Sequence, residues 1–148
     1  MRIAAYTRAD HPEYAAWFAD PEVDRRLGPM DDDWLKAVLA EDPPRQFTVR
    51  DDGRLVAVCG VVPPGPGHPE MHLSDVCVSP QLRRRGIAAR TLVALRDHLA
   101  EAGAGGWTCV VDAGNVPAIA LMRRDGWRRD PARDGEGMLG FRRNGRRA

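Results

Sequence analysis

Residues 75–99 read DVCVSPQLRRRGIAARTLVALRDHL, and three kinds of patterning follow one another within them. Asp75-Val76-Cys77-Val78 is a β-branched run that reads as the end of a strand. Ser79-Pro80 stops it, because proline cannot donate to a central ladder. Residues 81–86 make a short basic connection. From Ile87 the spacing turns helical, with Ile87, Leu92, Val93, Leu95 and Leu99 close to one stripe. A strand, a tight basic loop and a helix thus follow directly. Loop amides and an exposed helix N-terminus form a natural anion site, and Arg83, Arg84 and Arg85 add to its field. The plainer reading of the same residues is a solvated basic turn entering an ordinary helix.

Arg83-x-x-Gly86-x-Ala88 resembles the acyl-coenzyme A signature of the GNAT family of N-acetyltransferases, Arg/Gln-x-x-Gly-x-Gly/Ala. Gly86 removes a side chain where a ligand phosphate needs close backbone approach, and Ala88 keeps the first helical turn small. A second segment, Asn115-x-x-Ala118-x-x-x-Met122-x-x-x-Gly126-Trp127, resembles the family's Asn-x-x-Ala-x-x-x-Tyr-x-x-x-Gly-Phe. The resemblance runs from Arg2 to about Phe141. It implies an α/β fold with a mixed, mostly antiparallel central sheet and helices on both faces. It also implies strands that splay near Val76, Cys77 and Val78, exposing backbone to the pantetheine arm of acetyl-coenzyme A. Arg83, Arg84, Arg85, Gly86, Ile87 and Ala88 are the residues it places at the cofactor. Asn115 would orient the cofactor arm or cap its helix, and Ala118 would allow close passage.

Met122 departs from the family pattern. It stands where a tyrosine often donates a proton to the departing thiolate, and a thioether has no proton to give. The implied activity is direct acetyl transfer from acetyl-coenzyme A to a primary amine, on a small molecule or on a peptide or protein. A noncatalytic acyl-coenzyme A sensor or binding module is the alternative that Met122 keeps open.

The whole chain has 148 residues, a 43% apolar fraction, a 29% charged fraction and a net charge of +1. That suits one compact domain with a sizeable core, expected over residues 1–143 with a flexible tail at 144–148. Near-neutral charge gives no case for a nucleic-acid partner. No apolar run is long enough for a membrane span, and no leader-like segment precedes Arg2, so a cytoplasmic protein is expected. Cys59, Cys77 and Cys109 each sit in an apolar run and read as reduced core residues. Neither they nor His11, His68 and His98 have metal-ligand spacing, so no metal is expected. A homodimer is consistent with the family, though no heptad or defined face argues for one independently.

In chain order, residues 2–6 read as a first strand. Asp10 reads as a helix cap with Glu13 at the third position, followed by the bulky face of Tyr14, Trp17 and Phe18, either core or acceptor-pocket wall. Asp20-Pro21-Glu22 starts a second helix, with Val23 and Leu27 on one face. Asp31 caps a third through about Ala40, carrying Trp34, Leu35, Val38 and Leu39. Residues 47–50 and 55–62 flank the turn Asp51-Asp52-Gly53 as an antiparallel hairpin. Strands are expected at 71–78, 107–111 and 137–142, and a helix capped by Asn115. A dinucleotide-binding fold fits less well, for want of an early glycine-rich loop and a ribose-binding acid.

An amine must be neutral to attack a thioester, so a base or water chain is required. Glu70, His72 and Asp75 are the candidates, on or just before the strand that leads to the loop. Alternation puts Glu70 and His72 on one face and Asp75 on the other. Imidazole has the most suitable unperturbed pKa, Glu70 could act through water, and Asp75 could instead anchor the loop. A backbone amide near residues 76–78 would stabilise the charge developing on the carbonyl oxygen.

Overall fold

The computed structural model describes residues 1–145, so residues 146–148 of the expected tail lie outside the described residues. Its strands are β1 (Arg2–Ala5), β2 (Gln46–Asp51), β3 (Arg54–Val62), β4 (Met71–Val78), β5 (Trp107–Asp112), β6 (Arg128–Arg129) and β7 (Met138–Arg143). They hydrogen-bond in the order β1-β2-β3-β4-β5-β7-β6. The β4–β5 pair is parallel, while β1–β2, β2–β3, β5–β7 and β6–β7 are antiparallel. The helices are α1 (His11–Ala16), α2 (Pro21–Leu27), α3 (Asp32–Ala40), α4 (Ile87–His98) and α5 (Val116–Arg124). This is the mixed, mostly antiparallel sheet flanked by helices expected from the sequence. Among the described residues no helix is long and apolar enough to cross a membrane.

The chain divides into two compact units, Met1–Gly60 with Asp75–Ala94, and Val61–Ser74 with the chain from Leu95. In the first, the β2–β3 hairpin turns through Asp52 at φ 49° and Gly53 at φ 79°, both left-handed, as a tight hairpin turn between twisted strands requires. α2 and α3 begin where their caps dictate. Asp20 accepts hydrogen bonds from the backbone of Glu22 and Val23 at 3.0 and 3.2 Å, and Asp31 from that of Trp34 at 2.9 Å. Asp10 behaves differently from the expected cap. Its carboxylate reaches back to the Thr7 backbone N–H and hydroxyl at 2.8 and 2.9 Å and pairs with Arg50 at 2.8 Å. Burial pushes its carboxyl pKa up, and Arg50 and Thr7 more than offset this, leaving it lowered.

The core of this unit joins Tyr6, Tyr14, Val23, Leu35, Leu55, Val58 and Cys77, with Trp17, Phe18, Leu27, Met30, Trp34 and Val38 half-buried against them. Tyr14 is its hub. It meets Tyr6, Trp17 and Phe18 edge-on at ring-centroid distances of 5.8, 5.4 and 5.2 Å, the arrangement aromatic quadrupoles favour.

In the second unit, β5 pairs with β7 from Trp107↔Arg143 to Asp112↔Met138, and the two-residue β6 covers β7's other side. Arg96 and Asp125 form a bidentate ion pair, and the Trp127 indole N–H joins the same carboxylate at 2.9 Å. On α4 the stripe expected from spacing is narrower than predicted. Ile87, Leu92 and Leu95 are buried, while Val93 is 48% exposed, because it follows Leu92 by one residue and turns about 100° away. Cys59, Cys77 and Cys109 are all buried free thiols.

Tyr14 therefore acts as packing. Tyr14→Ala is expected to lower unfolding free energy by about 3–5 kcal/mol in denaturant melts. A loss below about 1 kcal/mol would contradict its place as the hub.

Candidate functional site

The loop between β4 and α4 is built to present backbone. Ser79 N–H bonds to the Val56 carbonyl at 2.9 Å, and Leu82 N–H to the Ser79 carbonyl at 2.9 Å, closing a short 3-10 turn over Pro80–Leu82. The chain then leaves regular structure. Arg84 is left-handed at φ 64° and Gly86 at φ 73°. A non-glycine residue there is uncommon and costs about 1–2 kcal/mol. α4 begins at once, and its first-turn bond runs from Arg90 N–H to the Gly86 carbonyl at 3.2 Å. The amides ahead of Arg90 thus point out of the helix start, as an anion requires. A Cβ placed on Gly86 would meet nothing within 4 Å, so this position faces open space. All three loop arginines are exposed. Arg83 is paired with Asp20, Nη2 to Oδ1 at 2.9 Å. Ile87 is buried under the loop and Ala88 half-buried.

β4 carries the base candidates. Met71, Leu73 and Cys77 are buried, while His72 and Asp75 are both half-buried. Glu70 lies just before the strand, its carboxylate gripped by Arg142 Nη2 at 2.8 Å and approached by Arg133 Nη2 at 3.5 Å. Both arginines also approach Asp130, at 3.6 and 3.3 Å. Asp75, in the first unit, accepts from Gln46 Nε2 at 2.9 Å. Its charge helps raise the pKa of the Tyr14, Cys59 and Cys77 groups, where burial is the larger cause. The Cys77 thiol is pushed up to about 12, and is no nucleophile near neutrality.

His72 has a different setting. Its Nδ1 is 3.1 Å from the hydroxyl of Thr108, a residue only 2% exposed, and Nε2 makes no hydrogen bond among the described residues. Its pKa is lowered, first by burial and then by the positive charges of Arg133 and His68. The imidazole is thereby kept neutral near pH 7, with one nitrogen fixed. The alignment that brings Thr108 to His72 is the β4–β5 ladder, whose registered pairs are Met71↔Trp107 and His72↔Thr108. Two pairs make a short ladder between strands of eight and six residues. Val76 and Val78 are half-buried further along β4.

In the second unit, Asn115 caps α5 by accepting from Ala118 N–H at 3.3 Å. Met122 is 4% exposed, and its carbonyl accepts from Trp127 N–H at 2.9 Å across the left-handed Gly126, at φ 86°. Capping, helix packing and turn closure are what these side chains do in the structure. Among the described residues no group of three His, Cys, Asp or Glu side chains is placed to hold a metal ion.

A model of the Acetyltransferase (GNAT) family matches residues 5–127. The chain belongs to the GNAT acetyltransferase family. At family level its activity is acetyl transfer that depends on acetyl-coenzyme A. Among solved structures it is similar to the ribosomal-protein-alanine N-acetyltransferase of Brucella melitensis, at 22% identity and TM-score 0.73, covering 97% of this chain and 99% of that one. It is also similar to the GNAT domain of the S. lividans protein PAT, at 14% identity and TM-score 0.78, covering 96% and 89%. An acetyltransferase of Agrobacterium tumefaciens str. C58 is similar at 24% identity and TM-score 0.73, covering 96% and 89%. At these identities the likeness is one of fold. No curated protein sequence gives a significant match.

Within this GNAT chain, sequence reasoning missed three partners. Thr108 was legible only as a strand residue, since nothing local pairs it with His72. Arg142 carries no signal that it reaches Glu70, 72 residues earlier. Asp20 was legible as part of a helix start but not as the partner of Arg83. The open space and positive φ at Gly86 yield a direct test. Gly86→Val should raise the acetyl-coenzyme A dissociation constant at least about tenfold, measured by calorimetry on variant protein whose circular dichroism matches wild type. Equal constants would reject this loop as the cofactor cradle.

Proposed function

We propose that this GNAT protein acetylates a primary amine, with His72 accepting the proton the amine must lose. The observation that carries the reading is the His72 ring, anchored at Nδ1 by a buried threonine and open at Nε2. In the tautomer whose Nδ1–H donates to Thr108 Oγ1, Nε2 keeps its lone pair and can take a proton directly or through one water. Glu70 suits the task less, because arginine engages its carboxylate. Asp75 fits the anchoring alternative through its bond to Gln46.

Acetyl-coenzyme A, when bound, supplies the activated thioester carbonyl. The residues of this chain that would hold it are Arg83, Arg84, Arg85, Gly86, Ile87 and Ala88, whose amides and positive charge suit a pyrophosphate. A main-chain amide among Val76, Cys77 and Val78 would stabilise charge developing on the carbonyl oxygen. Asn115 and Ala118 flank the start of α5, where the family resemblance places the pantetheine arm. Met122 transfers no proton, so the thiolate is protonated by solvent or leaves as the anion. The printed names of two similar structures, ribosomal-protein-alanine N-acetyltransferases, make a peptide N-terminal alanine the first acceptor to try.

The test is release of coenzyme A thiol across a panel of N-terminal peptides, lysine peptides and polyamines. Turnover with at least one amine supports the reading. Saturable cofactor binding with no turnover on any acceptor would favour an acyl-coenzyme A sensor instead.

Two further outcomes follow from the residues. The lowered His72 pKa means the base form is lost only below the ordinary histidine value of 6.5. kcat/KM should therefore be level in this group down to that value and fall as pH drops below its lowered pKa. His72→Gln should reduce turnover about 10²–10⁴-fold and abolish that limb. A limb unchanged in His72→Gln would remove His72 from the chemistry. Met122→Leu conserves buried volume and should keep pre-steady-state acetyl transfer within about threefold. A loss of about 100-fold would give Met122 a chemical role.

A further inference from the structure

Arg83 opens the loop signature, yet its guanidinium already has a protein partner. Its Nη2 donates to Asp20 Oδ1 at 2.9 Å and its Nη1 to Asp20 Oδ2 at 3.3 Å. This is the forked geometry in which arginine holds a carboxylate most specifically. The same Asp20 Oδ1 accepts the Glu22 and Val23 amides that start α2. One carboxylate thus receives four hydrogen bonds from two segments 63 residues apart in sequence. Downstream of Arg83 the loop has little else to fix it before α4. Arg84 and Arg85 are exposed, and Arg84 holds an unfavourable left-handed conformation.

We propose that Asp20 is a positioning residue for coenzyme A binding: by gripping Arg83 from the start of α2, it fixes the backbone of the loop at residues 83–86 and aims the guanidinium, without touching the ligand itself. The inference rests on the reading of this loop as the coenzyme A cradle. A guanidinium has five N–H donors. Two go to Asp20, and three stay available to a phosphate oxygen. The lowered carboxyl pKa of Asp20, caused first by the Arg83 hydrogen bond and then by the Val23 amide, agrees with this geometry. The pair is partly exposed, at 45% for the arginine and 25% for the aspartate side chain. Such a pair adds little to global stability, so its contribution lies in holding the loop ready for its ligand. The carboxylate also ties the loop to α2, whose Val23 and Leu27 pack in the core that includes Trp17, Phe18 and Trp34.

Asp20→Asn separates the two jobs of this residue. Asparagine caps a helix as well as aspartate does, but it lacks the charge and the second oxygen that hold the guanidinium. Asp20→Asn should raise the acetyl-coenzyme A dissociation constant and KM together, by about 3- to 10-fold. kcat at saturating cofactor and the melting temperature should stay near wild type. Arg83→Gln approaches the pair from its exposed side and should weaken binding similarly. The double variant should be no worse than Arg83→Gln alone, because one interaction is lost in both. A wild type that binds, with an Asp20→Asn variant that binds equally well, would overturn this inference and leave the cradle standing. Fully additive effects of the two substitutions would overturn it too. A wild type that fails to bind acetyl-coenzyme A would remove the cradle and this inference together.

Discussion

The left-handed turn at Gly86 is the constraint on which the functional end of this protein depends. β4 finishes at Val78 and α4 starts at Ile87, so eight residues must reverse from strand to helix while keeping the helix start accessible. The conformation at φ 73° does this at no steric cost only for glycine. It leaves open space where any other residue would carry a Cβ. The Ser79 amide holds the strand end to Val56 and Asp20 holds Arg83, and the amides ahead of Arg90 follow these two anchors at the start of α4. The family signature Arg83-x-x-Gly86-x-Ala88 is the sequence form of that geometry.

Ion pairing then sorts the groups that could do chemistry. Glu70 is committed to Arg142, Asp20 to Arg83, Asp10 to Arg50 and Asp125 to Arg96. A carboxylate held by a guanidinium has its oxygens taken up in charge-assisted hydrogen bonds. Imidazole in a half-buried position beside Arg133 is affected differently. Losing its proton relieves both the burial cost and the like-charge repulsion. Arg133, which also approaches Glu70, thus favours the neutral form of His72, and the buried hydroxyl of Thr108 engages one ring nitrogen. Met122 belongs to the packing side of this division, buried beneath the turn at Gly126.

Much of the fold was legible because its signals are local. Asp20, Asp31 and Asn115 announce helix starts by side-chain capping. Asp52-Gly53 and Gly126 mark turns by backbone conformation, and β-branched runs mark β3 and β4. The failures are equally physical. Asp10 has the chemistry of a cap, but a guanidinium from β2 and the Thr7 donors compete for its oxygens. Val93 is apolar yet points away from Leu92, so composition alone overstates the buried stripe. β6 is two residues long and exists only because β7 offers it an edge. The site was legible in its loop, where glycine, arginine and helix start are adjacent in sequence. It was not legible at His72, because Thr108, Arg133 and His68 are brought there by strand register and by the returning chain, not by spacing.

Titration calorimetry with acetyl-coenzyme A, alongside a nucleotide triphosphate of comparable charge, tests the central claim most directly. The account predicts saturable, one-to-one binding of acetyl-coenzyme A to the folded, ligand-free protein and no comparable binding of the triphosphate. Absence of acetyl-coenzyme A binding, or equal binding of both as a mere polyanion response to three arginines, would contradict it.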